Sequence, residues 1–282
     1  MLAQSKIAFI GPGVMAEAMI GGLVRGELAR GECLIASGPR LERVEQLATE
    51  YGLEPYTDNA DASRQADVVV LSVKPQRMEK VLEGMRGVLK PQALVLSIVA
   101  GARIEKIQTG LEHELVVRSM PNTPAQIGEG ITVWTAAPGV SDVQREITRG
   151  ILGAMGQDIY VEEESYLDMA TALSGTGPAY VFLFMEAMVD AGVHLGFPRR
   201  IAEELVAQTV RGSVDYYTQD DDPIHLARLR NQVTSPGGTS AAALYYLEKA
   251  GFRTALSRAI WAAYERSREL GQDAKAYAPK EG

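Results

Sequence analysis

Lys6-Ile7-Ala8-Phe9-Ile10-Gly11-Pro12-Gly13-Val14-Met15-Ala16 is the stretch on which the architecture turns. A short strand-like run leads directly into the pattern G-x-G-x-x-A, and an amphipathic, helix-like segment at 14–28 follows it. Strand before and helix after is the context that marks this pattern as the first turn of a dinucleotide-binding βα unit. Gly11 permits the tight turn. Gly13 lets a pyrophosphate approach the backbone N–H groups at the helix start, and Ala16 is small enough for helix to pack on strand. The bland alternative is a glycine turn kept only for packing, and its position in an alternating chain favours the nucleotide site.

Working outward, short β-branched runs alternate with amphipathic segments, the pattern of a mostly parallel sheet covered by helices on both faces. Strands are expected at 6–10, 33–36, 67–73, 93–99, 115–118, 131–135 and 158–161. Val68-Val69-Val70-Leu71 and Leu94-Val95-Leu96 are apolar without alternation, as strands buried on both faces require. A helix is expected at 41–51, stopped by Gly52. After Glu164 the strand signal ends, and helices are expected at 166–173, 178–195, 198–217, 223–230, 240–249 and 252–270. The expected organisation is a Rossmann-type α/β domain at 1–164 that binds NADP, followed by an all-α domain at 165–282. Tyr180-Val181-Phe182-Leu183-Phe184-Met185 is apolar on every side of its helix, which suggests a subunit interface, with a buried core helix as the alternative. The acidic runs Glu162-Glu163-Glu164 and Asp220-Asp221-Asp222 read as solvated helix ends.

Composition excludes several classes. The 282 residues carry 28 basic and 36 acidic side chains, a formal charge of −8, with no cluster of five Lys or Arg, so nucleic acid is not an expected partner. His113, His194 and His225 lie far apart, and no metal site is expected. Cys33 has no second cysteine to pair with, which suits a reducing compartment. No signal-peptide core and no unbroken run of 18 apolar residues occurs, so a cytoplasmic protein without a membrane partner is expected.

The end of the second strand bears on which dinucleotide binds. An Asp or Glu there usually accepts from the ribose 2′-hydroxyl of NAD, but the chain reads Ala36-Ser37-Gly38-Pro39-Arg40. A hydroxyl and a guanidinium stand where a carboxylate would repel a 2′-phosphate, so NADPH is favoured, with NADH possible. Two further strand ends face the same crevice: Ser72-Val73-Lys74-Pro75, where Lys74 can neutralise charge, and Val99-Ala100-Gly101, where Gly101 allows close approach.

In the helical half, Asn231-Gln232-Val233-Thr234-Ser235-Pro236-Gly237-Gly238-Thr239-Ser240 opens a helix with hydroxyls and glycines. Free backbone N–H groups at a helix start, beside Thr239 and Ser240, form a receptor for a carboxylate. An ordinary Ser or Thr N-cap is the alternative, but a cap needs one hydroxyl and four are supplied. A nicotinamide enzyme that reduces a ketone usually needs a proton donor such as His, Lys or Tyr, and no motif here supplies one. An imine nitrogen can be protonated before hydride arrives, so the sequence leans toward C=N reduction.

Five stretches resemble the pyrroline-5-carboxylate reductase family over nearly the whole chain: Phe9-Ile10-Gly11-Pro12-Gly13-Val14-Met15-Ala16, Ser72-Val73-Lys74-Pro75-Gln76, Met120-Pro121-Asn122-Thr123-Pro124-Ala125, Ser174-Gly175-Thr176-Gly177-Pro178-Ala179-Tyr180 and Thr234-Ser235-Pro236-Gly237-Gly238-Thr239-Ser240. The first two are shared with other dehydrogenases, and the last three together are specific. The resemblance implies NAD(P)H-dependent reduction of 1-pyrroline-5-carboxylate to L-proline, the last step of proline synthesis. It also implies a helical domain that forms a homodimer, often assembled into rings, with the substrate carboxylate on the Pro-Gly-Gly loop at the dimer interface. It assigns substrate binding to Val233, Ser235, Gly237, Gly238, Thr239 and Ser240, with Ser240 the catalytic candidate. It assigns the cofactor to Gly11, Gly13, Val14, Met15, Ser37 and Arg40, then to Asn59, Val73, Lys74, Pro75, Ala100 and Gly101. Ser240 stands where the family usually has Thr, and Thr176 where it usually has Ser; both keep a hydroxyl. The competing readings are a 3-hydroxyacid dehydrogenase, which would need a catalytic Lys that only Lys249, Lys275 or Lys280 offers, and a dinucleotide-sensing dimer whose chemistry has lapsed.

Overall fold

The computed structural model describes residues 2–219 and 224–271. Asp220-Asp221-Asp222, the start of the helix expected from 223, and Lys275 and Lys280 lie outside the described residues. The chain divides into two compact units, one formed by residues up to Thr176 together with those from Ala262 onward, the other by Gly177–Trp261.

The first unit holds an eight-stranded sheet. In chain order its strands are β1 (Ile7–Ile10), β2 (Leu34–Ser37), β3 (Glu54–Tyr56), β4 (Val68–Leu71), β5 (Leu94–Ser97), β6 (Val116–Met120), β7 (Gly130–Ala136) and β8 (Gly156–Tyr160). Their spatial order is β3-β2-β1-β4-β5-β6-β7-β8. The sheet is parallel from β3 to β6; β7 runs antiparallel to β6, and β8 parallel to β7. Order reverses between β1 and β4, which is where open α/β sheets leave a crevice beyond their strand ends. Registers pair Ile10 with both Ser37 and Leu71, and Leu71 with Ser97, so four strands end in one row.

Helices α1 (Val14–Arg25), α2 (Leu41–Tyr51), α3 (Asn59–Gln65), α4 (Met78–Met85), α5 (Ile104–Leu111) and α6 (Asp142–Gly153) connect these strands. Successive side chains of β1 point to opposite faces, and both faces are dry. Ile7 and Phe9 pack with Met19, Ile20 and Leu23 of α1, while Ala8 and Ile10 join the core that includes Met78, Leu82 and Ile107. Of the strands, β3 has no counterpart in the sequence reading. It is three residues long, lies at the sheet edge and contains Pro55, a residue that only an edge strand tolerates.

After β8 come α7 (Tyr166–Ala170) and a π-helical turn, Thr171–Gly175, which breaks the helix expected at 166–173 and runs two residues past it. The second unit contains α8 (Gly177–His194), α9 (Arg199–Thr218), α10 (Leu226–Gln232), α11 (Thr239–Lys249) and the first half of α12 (Phe252–Gly271). Its core is small: Val189, Ala202 and Val206, with Met185, Met188, Val193 and Val210 around them. Phe182 is 63% exposed and Leu183 67%, so the Tyr180 to Met185 segment is not a core helix of the single chain. By length and composition alone, the helical run Tyr166–His194 is also long and apolar enough to cross a membrane.

Glu164 corrects one expectation, because it is not a solvated helix end. Its Oε1 accepts from Arg118 Nη1 and from the Ile104 backbone N–H, both at 2.9 Å. Arg118, 3% exposed on β6, also donates to Asp168 Oδ1 at 2.9 Å, and Ser267 Oγ of α12 donates to the same oxygen at 2.9 Å. One buried guanidinium thus ties α7 and the end of α12 to the sheet. Removing it leaves carboxylates uncompensated, which costs far more than losing a surface pair. Arg118→Met is expected to lower stability by about 3 kcal/mol or more, read from the urea midpoint at fixed protein concentration; a loss below about 1 kcal/mol would show that the cluster behaves as a surface pair.

Candidate functional site

The row of strand ends in the first unit gathers the dinucleotide motif. Gly11 has φ +92°, and a Cβ there would lie 2.7 Å from Val73 Cγ1 and 3.0 Å from the Ser72 carbonyl oxygen. Main chain therefore passes against main chain at this point. Ser72 Oγ, within reach of the Ile10 carbonyl oxygen at 3.0 Å and the Gly11 carbonyl oxygen at 2.7 Å, fixes the turn, and the Gly11 N–H donates to the Ser37 carbonyl at 2.9 Å. Gly13, by contrast, faces open space: a Cβ there meets nothing closer than the Gly11 carbonyl at 4.0 Å. Gly13 is also the N-cap of α1, and no side chain caps that helix. Val14 is exposed and Met15 partly so, leaving the first amides of a twelve-residue helix accessible to an anion.

At the end of β2, Ser37 is fully buried and its hydroxyl donates to Asn59 Oδ1 at 2.8 Å. Its effect on a ligand therefore passes through Asn59, the first residue of α3. Arg40 is exposed and makes no ion pair among the described residues. No carboxylate occupies the end of β2, so the residues present suit a 2′-phosphate. Lys74 is exposed beside Val73 and Pro75, where β4 gives way to a 3-10 turn.

Gly101 has φ +73° and is buried, and its missing side chain is accounted for by α12: a Cβ would lie 2.9 Å from Leu270 Cβ and 3.0 Å from the Gly271 nitrogen. The close approach that Gly101 allows on that side is made by the chain's own helix. Ala100, before it, is partly exposed.

Two residues that hold the glycine turn were given no role by the sequence reading, although Ser72 stood in a quoted motif. Ser72 follows an apolar strand and looks like any strand-end serine. Arg43 donates from Nε to the Pro12 carbonyl at 3.1 Å, from Nη1 to Gln46 at 2.9 Å, and is ion-paired with Glu17 of α1. Its only signal was its place three residues after Arg40.

In the second unit, Ser235-Pro236-Gly237-Gly238 is a closed turn: the Gly238 N–H donates to the Ser235 carbonyl at 3.0 Å, and Gly237 has φ +70°. Pro at the second position and a left-handed Gly at the third are the requirements of a type II turn. A Cβ at Gly238 would lie 2.5 Å from Ser235 Oγ and 3.1 Å from the Ser235 carbonyl oxygen, so a side chain there would displace the Ser235 hydroxyl. It is the N-cap of α11, and no side chain caps that helix. The ordinary-cap alternative therefore fails. Among the described residues Ser235, Thr239 and Ser240 hydroxyls make no intramolecular hydrogen bond, whereas Thr234 Oγ1 is committed to the Arg230 carbonyl at 2.7 Å. Free amides and free hydroxyls together form a receptor for a small anion. Val233, which precedes them, is exposed.

Other motif residues serve the scaffold. Asn122 Oδ1 accepts from the Ile131 N–H at 3.0 Å, and Thr176 Oγ1 donates to the Thr171 carbonyl at 2.8 Å. Lys249 ends α11, with Nζ 5.8 Å from the Tyr245 ring centre, far along the helix from its glycine-rich start. Among the described residues no group of three His, Cys, Asp or Glu is arranged to hold a metal.

Residues 164–270 match the family described as pyrroline-5-carboxylate reductase dimerisation, and residues 6–101 match NADP oxidoreductase, coenzyme F420-dependent. The chain is 40% identical over 272 residues to pyrroline-5-carboxylate reductase of Pseudomonas aeruginosa, covering 96% of this chain and 98% of the relative. It is 39% identical over 267 residues to that of Synechocystis, covering 95% and 98%. Among solved structures, Plasmodium falciparum pyrroline carboxylate reductase with NADP bound superposes with a TM-score of 0.88 at 33% identity, covering 96% of this chain and all of that one.

The glycine turn yields a direct test. Gly11→Ala forces a side chain into a left-handed backbone and into Val73, so NADPH affinity is expected to fall by about tenfold or more, measured by fluorescence titration. Binding equal to the parent would mean that the turn is not the cofactor cradle.

Proposed function

This chain belongs to the pyrroline-5-carboxylate reductase family, and from that premise we propose that it reduces 1-pyrroline-5-carboxylate to L-proline with NADPH, using residues on its strand ends and on the 235–240 turn. The observation that carries the substrate assignment is the uncapped start of α11 with three hydroxyls left without partners. The bound cofactor supplies the hydride. Everything else falls to side chains and amides of the protein.

Residues 1–164 are assigned the cofactor and 165–282 dimerisation and substrate. The amides that follow Gly13 hold pyrophosphate, with Val14 and Met15 at the helix start. Arg40 carries the 2′-phosphate, Ser37 orients Asn59, and Lys74, Val73 and Pro75 flank the ribose with Ala100 and Gly101. NADH, lacking the phosphate, is the weaker cofactor.

The substrate carboxylate lies on the amides beyond Gly238, a site that needs no cation, with Val233, Ser235, Gly237 and Thr239 shaping it. Ser240, in the first turn of α11, turns its unpartnered hydroxyl to the substrate and holds the ring in place. The ring nitrogen carries its proton before hydride arrives, so C=N becomes C–N without a proton donor at that step. Catalysis is then chiefly positioning.

The chain forms a homodimer through its helical region. The groove lined by Leu244, Leu247, Phe252, Leu256 and Trp261 supports that surface, and the exposed Phe182, Leu183, Leu195 and Phe197 support further assembly into rings. A cytoplasmic location is supported by the single cysteine, Cys33.

The deciding experiment is NADPH oxidation with 1-pyrroline-5-carboxylate, against a 3-hydroxyacid with NADP in reverse. Turnover is expected only with the imine; tight NADPH binding without turnover would favour a sensor. Ser240→Ala is expected to lower kcat/KM by about tenfold, one hydrogen bond's worth, and an unchanged value would remove Ser240 from the site. Arg40→Asp is expected to raise the KM for NADPH far more than that for NADH, and equal effects on both would refute the 2′-phosphate assignment.

A further inference from the structure

Arg43 belongs to none of the motifs, yet it reaches the centre of the cofactor cradle. Arg40 is the extended N-cap of α2 and Arg43 lies in the first turn of that helix, so both belong to the segment that follows β2. Their circumstances differ. Arg40 is exposed and makes no ion pair among the described residues, while Arg43 is part-buried and paired with Glu17, itself part-buried, in the first turn of α1. Arg43 also holds the Pro12 carbonyl, which places both charges beside the glycine turn. Screening by salt is weaker for such a pair than for exposed charges.

We infer that the Glu17–Arg43 pair sets how strongly the site prefers the phosphorylated cofactor, because Glu17 cancels the charge that Arg43 would otherwise add to that of Arg40. This rests on the reading that NADPH lies along the strand ends of the first unit. Both cofactors set a pyrophosphate on the glycine turn and feel the pair there, and NADPH, which adds a 2′-phosphate, responds to the same change of charge more strongly. Through the Pro12 carbonyl, Arg43 is also a positioning residue for the turn, a role that affects both cofactors alike.

The test uses the full-length protein and measures NADPH and NADH affinity by calorimetric titration at two salt concentrations. Glu17→Gln keeps an acceptor for Arg43 and removes only the charge. It is expected to tighten both cofactors, NADPH by about threefold more than NADH, the difference shrinking as salt rises. Arg43→Gln leaves Glu17 unopposed and is expected to weaken NADPH more than NADH. The double variant, again without net charge at the pair, is expected to restore the NADPH-to-NADH ratio to within about twofold of the parent. Equal shifts for both cofactors in Glu17→Gln, or no shift, would overturn the inference. A parent protein that binds neither cofactor would instead overturn the cofactor assignment beneath it.

Discussion

Contact of main chain with main chain at Gly11 is the constraint on which the nucleotide half depends. The chain must turn out of β1 with a positive φ while touching the residues that leave β4, and only a residue without Cβ does both. Once that contact is made, α1 starts where its amides are accessible, and Ser72 and Arg43 fasten the turn from either side. The row of strand ends set by the parallel register then gives β2, β4 and β5 a common edge on which to present Ser37, Lys74 and Ala100. The site is a consequence of register, not of any single reactive side chain.

The same logic recurs at the 235–238 turn. Gly237 adopts a left-handed backbone and Gly238 leaves room for Ser235, so the helix that follows begins with bare amides and free hydroxyls. In both places a helix begins at a glycine N-cap with no side-chain cap, so its first amides are left to an anion.

Local patterns carried much of this. The strand, turn and helix of residues 6–16 are readable because periodicity, glycine spacing and helix start coincide, and Gly52 ends α2 where its left-handed φ requires. The hydroxyl-rich helix start at 239 was readable for the same reason. What stayed hidden depends on partners distant in sequence. Arg118 meets Glu164 and Asp168 across 46 and 50 residues, and no local rule distinguishes Glu164 from its solvated neighbours. β3 is too short and too proline-bound to announce itself, and Gly101 gave no sign that its own C-terminal helix would fill the space beside it. Arg43 was invisible because two of its partners, Pro12 and Glu17, lie 31 and 26 residues earlier in the chain.

The slight interior of Gly177–Trp261 bears on how the protein comes into being. The three buried aliphatic side chains among its described residues cannot offset the ordering of some eighty residues, so a lone chain has greasy helices waiting for a sister copy. Maturation is then a second-order event whose yield rises with expression level, and dilution acts on the finished protein as a denaturant would.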